Sequence, residues 1–138
     1  MSDPRAYISF DFDHDEKHRN LFAGQAKTDS PTPFAVADWS SKAGLNEQEW
    51  ERITKDKIGR CNMLIVLVGR YMATATGVKK ETTMADTQDV PVFGVYVDGA
   101  NTESTLPVGL PRNRVVAWKW STIAASIDQM MTEKKNRK

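Results

Sequence analysis

The stretch Asn62-Met63-Leu64-Ile65-Val66-Leu67-Val68-Gly69 is a continuous apolar run that closes on a glycine. Its β-branched content and its short, bounded length predict a strand. A strand apolar on both faces suits a parallel sheet covered by helices on either side. The other strands are weaker. Ala6 to Phe10 is a short aromatic strand running into acids, and Phe34-Ala35-Val36-Ala37 is a second, following the Asp29-Ser30-Pro31-Thr32-Pro33 break. Val90 to Val97 is the fourth, with Pro91 tolerable only at its start. Arg114-Val115-Val116-Ala117-Trp118 is the fifth.

Between these strands the period changes to that of a helix. Asp13 with Glu16 has capping-box spacing and predicts a helix to about Lys27, with Leu21, Phe22 and Ala26 on its apolar side. Asn46 with Glu49 repeats the pattern, ahead of Trp50, Ile53, Ile58 and Cys61 at helical spacing and Lys57 as the polar intruder. Val78 to about Gln88 reads as a weaker helix holding Glu81, Met84 and Ala85. Trp120, Ile123, Ala124, Ile127, Met130 and Met131 stripe a final one. Residues 98–113 form a turn-rich excursion. Five alternations of strand and helix predict one α/β domain over 1–138, with a core at about 5–132 and a basic tail at 133–138. The expected architecture is a flavodoxin-like three-layer sandwich with a five-stranded parallel sheet in the order 2-1-3-4-5. Its switch point falls between strands one and three. The binding crevice is therefore expected from the loops after Phe10 and after Gly69.

Composition changes this picture little. Apolar residues make up 40% and charged residues 27% of 138, an ordinary globular balance. A net charge of +1 gives no general reason to expect a nucleic-acid or membrane surface. With Cys61 the single cysteine and no signal-like apolar start, the expected compartment is the cytoplasm. No run reaches the length of a membrane span.

Chemistry at the expected crevice starts with Asp11, Asp13, His14, Asp15 and Glu16. They read as a metal cluster or as solvated acids favouring a helix start. A phosphoacceptor receiver would need an aspartate at the end of strand three, where this chain has Val68-Gly69. The loop Thr74-Ala75-Thr76-Gly77 superficially resembles a flavodoxin phosphate loop but follows strand three, not strand one. Thr76 either caps a helix or helps receive a phosphate through backbone N–H groups. Glu81, one turn into the next helix, reads by spacing as a solvated acid and by position as overlooking the crevice. Phe10 either stacks on a ligand's ring or belongs to the core. Asp11 binds a ligand hydroxyl or caps. Arg70 neutralises a ligand's negative charge or is solvated. Trp118-Lys119-Trp120 reads as helix–sheet packing, Cys61 as core, and His14 with His18 as a metal pair lacking a third ligand.

Tyr7-Ile8-Ser9-Phe10 followed by acids resembles the opening strand of TIR domains. Val78 to Ala85 and then Val90 to Gly99 are similar to the TIR-like proteins of the Thoeris antiphage system, and the resemblance runs through most of residues 5–120. It implies that Glu81 is the catalytic glutamate of the helix after strand three. With it, Phe10 is expected to stack on a nicotinamide or adenine ring, Asp11 to bind a ribose hydroxyl and Arg70 to neutralise a pyrophosphate, and Trp39 falls in a region used for partner contacts and for covering the site. Members often carry a tryptophan shortly before that glutamate, where this chain has Gly77 and Val78. The implied activity is cleavage of the nicotinamide–ribose bond of NAD, as substrate and without a further cofactor or metal, often with recapture of the ribose as a cyclic ADP-ribose isomer. Self-association, a separate effector that reads the product, and a phage-derived trigger are implied partners. The alternatives are a non-enzymatic TIR-type adaptor and a nucleoside deoxyribosyltransferase-like enzyme with a covalent glutamate nucleophile.

Overall fold

The structure is a computed structural model that describes residues 3–37 and 44–137. In chain order the elements are β1 (Arg5–Ser9), α1 (Glu16–Thr28), β2 (Ala35–Val36), α2 (Glu47–Gly59), β3 (Met63–Val68), α3 (Thr76–Thr87), β4 (Val92–Tyr96), β5 (Val115–Val116) and α4 (Trp120–Met130), with short 3-10 turns at Met72–Thr74, Arg112–Arg114 and Lys134–Asn136. The five strands pair in the order β2-β1-β3-β4-β5 and every pairing is parallel. This is the flavodoxin-like sandwich expected from the pattern.

The two-residue period of the strands divides the core in two. Ala6, Ile8 and Phe10 of the first strand segment join Met63, Ile65, Leu67, Phe93 and Val95 on one face, against Phe22 and Ala26 of α1 and Ile123, Ile127 and Met130 of α4. Tyr7, Leu64, Val66, Val68 and Val92 take the other face, against Trp50 and Ile58 of α2 and Val78, Met84 and Ala85 of α3. All six residues of β3 are buried, which is what a central strand with helices on both sides demands. Each fully buried Val, Leu or Ile contributes about 1.5–3 kcal/mol relative to exposure.

Local departures have identifiable causes. α1 begins at Glu16, later than the Asp13 cap implies, with Asp15 at the N-cap and no side-chain cap bond, because a turn closed by Asp11 precedes it. Asp11 Oδ1 accepts the Asp13 N–H at 3.0 Å and its carbonyl accepts the Asp15 N–H at 2.8 Å. The second cap forms as expected, with the Glu49 N–H donating to Asn46 Oδ1 at 2.8 Å. Thr54, not Ile53, shares the buried stripe of α2 with Trp50 and Ile58, since these lie four residues apart. The edge strands β2 and β5 shrink to two residues each. Beyond β5, Trp118 and Trp120 pack on the core, and their indole N–H groups share Gln25 Oε1 at 3.0 and 2.8 Å. Within the basic tail, Asn136 donates to the Asn62 carbonyl at 2.7 Å and so packs beside the start of β3.

Candidate functional site at the switch point

α3 turns Val78, Glu81, Thr82 and Ala85 inward, the i, i+3, i+4, i+7 stripe of a helix lying on a sheet. A carboxylate therefore occupies a core position. Glu81 is 2% exposed. Opposite it, Tyr7 and Ser9 project from β1 on the same face, because they are two residues apart. The Ser9 hydroxyl donates to Glu81 Oε1 at 2.6 Å and the Tyr7 hydroxyl donates to Oε2 at 3.0 Å. Burying a carboxylate is costly unless hydrogen bonds compensate it, and here each oxygen receives one.

Next to this group the switch point opens into a hollow of about 150 Å³, lined by Phe10, Asp11, Phe12, Asp13, Thr74, Ala75, Thr76, Gly77 and Val78. It is built from the loop after β1 and the turn leading into α3, the two segments the topology singles out. Glu81 is not among the lining side chains. It sits one turn beyond Val78, behind the wall. A larger groove of about 470 Å³ runs between α2 and α3, lined by Glu51, Thr76, Lys79, Lys80, Thr83 and Met84, with no buried acid among the described residues of its wall.

The acids after β1 do not act as one solvated cluster. Asp11 is 7% exposed and accepts from the Asp13 N–H, with His14 Nδ1 2.7 Å from its Oδ2. His14 in turn stacks on Tyr71 at 3.7 Å between ring centroids. Asp15 is fully buried, with His18 Nδ1 3.3 Å from Oδ1. Its carboxylate packs against Gly69, where any Cβ would collide with it. Burial raises its pKa above the usual carboxylate range, Asp11 and Asp98 add to that, and His18 works against it. Among the described residues no three His, Cys, Asp or Glu side chains are grouped to hold a metal ion.

The family model described as "Thoeris protein ThsB, TIR-like domain" matches residues 7–102. The chain belongs to this family. Among solved structures, a prokaryotic SEFIR domain aligns with a TM-score of 0.55 at 17% identity, covering 92% of this chain and 89% of its own. The TIR domains of the activated Roq1 resistosome recognising the pathogen effector XopQ align with a TM-score of 0.42 at 17% identity, covering 67% of this chain and 57% of theirs. No curated protein matches the chain.

Within this TIR-like domain the structure brings some of the expected residues together and separates others. Phe10, Asp11 and Thr76 line one hollow. Phe10 is 2% exposed and meets Phe12 edge-on at 4.8 Å. Phe12 is half-buried and lines the same hollow, so it is the aromatic side chain with surface to offer a ring. Arg70 stands apart. It forms a two-pronged ion pair with Asp98 at 3.1 and 3.3 Å, bridging the ends of β3 and β4. Trp39 lies outside the described residues. Cys61 is buried, and burial pushes its thiol pKa up to about 11 despite Arg5 and Lys135 nearby. That suits a core residue, since the thiolate is the reactive form. Tyr7 and Ser9 were not singled out by sequence reasoning. The available signal was two hydroxyl-bearing residues on one face of a strand whose neighbours on that face are otherwise apolar. Among the described residues no helix is long and apolar enough to cross a membrane.

Proposed function

We propose that this TIR-like domain cleaves the nicotinamide–ribose bond of NAD, with Glu81 as the catalytic acid, and releases a cyclic ADP-ribose-type signal in antiviral defence. The observation that carries the reading is the buried carboxylate of Glu81, held by two hydroxyls beside the switch-point hollow. A position on a helix's core stripe favours an apolar residue on stability grounds. Replacing a buried polar group by a well-packed apolar one is often neutral or stabilising. An acid kept there, with dedicated donors, is better explained by chemistry than by folding.

The reaction suits one carboxylate. As the C1′–N1 bond breaks, its electron pair goes to the ring nitrogen and neutral nicotinamide departs. No general acid is needed at the leaving group. Positive charge develops on the ribose C1′ and ring oxygen, and a fixed carboxylate stabilises it while accepting from ribose hydroxyls. Water capture gives ADP-ribose, and capture by a nucleophile of the same molecule gives a cyclic product. In this arrangement Phe12 or Phe10 contacts a base, Asp11 a ribose hydroxyl, and Thr76 with the first N–H groups of α3 a phosphate. Glu81 must gain access to the hollow past Val78. Self-association is the proposed means of ordering that opening, a separate effector the reader of the product, and a phage-derived component the trigger.

Incubating the protein with NAD and with a deoxynucleoside, beside Glu81→Gln, separates the readings by mass spectrometry. Nicotinamide release that falls by about 100-fold or more in Glu81→Gln is the expected result. Base exchange on the deoxynucleoside would instead indicate transferase chemistry. The 2% exposure of Glu81 favours a second reading, the adaptor. Equal inertness of both proteins, even when crowded, would select it.

A further inference from the structure

We propose that Tyr7 and Ser9 are positioning residues for the reaction: their hydroxyls fix the Glu81 carboxylate in one orientation. The inference rests on the NAD-cleaving reading above. A free glutamate side chain has three rotatable bonds and loses on the order of 1.5–2 kcal/mol of rotamer entropy when fixed. An enzyme that fixes the side chain in advance does not incur that loss in the transition state. Here fixation comes from two directions. Ser9 holds Oε1 and Tyr7 holds Oε2, so rotation about the terminal bond breaks both contacts at once.

The strand makes this exact placement possible. Tyr7 and Ser9 sit on β1 opposite Leu64 and Val66 of β3, in the most deeply buried part of the sheet. Both are 0% exposed. Their hydroxyls are therefore anchored to a buried strand paired on both sides, while Glu81 rides on α3, whose first turn lines the hollow.

Tyr7→Phe and Ser9→Ala each remove a single oxygen and keep the packed shape. Both variants are made in the full chain, with Glu81→Gln as reference, and steady-state NAD cleavage is measured. The expected result is a kcat about 10- to 100-fold lower in each variant with KM for NAD little changed, the scale of losing one hydrogen bond to a charged group. Infrared difference spectra on 13C-glutamate-labelled protein supply a readout independent of turnover. The carboxylate stretch that disappears in Glu81→Gln should move in both hydroxyl variants. An active wild type whose kcat and Glu81 band are unchanged in both variants overturns the inference and leaves the NAD reading standing. A wild type that is inert, and no better than Glu81→Gln, sinks the NAD reading and the catalytic role of the two hydroxyls with it. If one variant does not fold, the other decides, because each hydroxyl serves a different oxygen.

Discussion

Asp15 shows how a single side chain can record a conflict between folding and charge. It is fully buried, packed on Gly69, and its oxygens have no hydrogen-bond donor among the described residues. His18 is the facing partner, while Asp11 and Asp98 oppose the charge, and Asp98 is itself tied to Arg70. Its pKa in the folded chain is raised above the unfolded value near 3.9. The folded state thus binds this proton more tightly than the unfolded one. The stabilising contribution is complete below the unfolded pKa and is lost as pH rises through the folded pKa. Asp15→Asn should accordingly gain in Tm relative to wild type at pH 8 more than at pH 4. Thermal denaturation at the two pH values checks this, and a difference that does not vary with pH would show that His18 fully offsets the burial.

At the level of elements, the strand–helix alternation and both faces of β3 were legible because burial imposes a period on neighbouring residues. The edge strands were over-read: β2 and β5 pair over two residues each, although β1 runs on to Ser9 and β4 to Tyr96 beside them. The start of α1 was misplaced for a different reason. Asp13 is chemically able to cap, but the turn that Asp11 closes carries the chain past it, and the helix starts after Asp15 with no side-chain cap. Gly94 is a similar case. It lies mid-strand between Val66 and Val115, where a glycine is locally unfavourable. A Cβ there would come within 3.0 Å of Leu110 Cδ2, 3.2 Å of Val68 Cγ2 and 3.3 Å of Val115 Cγ2. The gap admits the excursion at 98–113 against the sheet. Gly94→Val should destabilise the domain by about 1–3 kcal/mol through overpacking, measured by urea denaturation. A variant as stable as wild type would mean that Leu110 moves away without loss.

For the whole molecule, the order β2-β1-β3-β4-β5 puts the switch point between β1 and β3 and so places the hollow before any side chain is considered. Glu81 is 2% exposed and is not among the described residues lining the hollow, so the proposed enzyme should be poorly active when dilute. Nicotinamide release per milligram is expected to rise with protein concentration or crowding, in step with larger species in light scattering. Constant specific activity across a wide concentration range, from a monomer, would remove self-association from the proposal.

Sequence by itself determined the number and kind of elements, the sheet order expected of them, and the two loops that frame the hollow, because periodicity and turn chemistry act between near neighbours. It also marked Glu81, by its place over the crevice and by the family resemblance, but not what surrounds it. Only the tertiary structure decided that this acid is buried and that Ser9 and Tyr7, 72 and 74 positions away, hold its two oxygens. It likewise decided that Asp15 is enclosed and that Arg70 is committed to Asp98. Periodicity says which face of an element is covered. Which polar groups meet under that cover depends on how β1 and α3 are brought side by side by the intervening crossovers, and no local pattern encodes that distance.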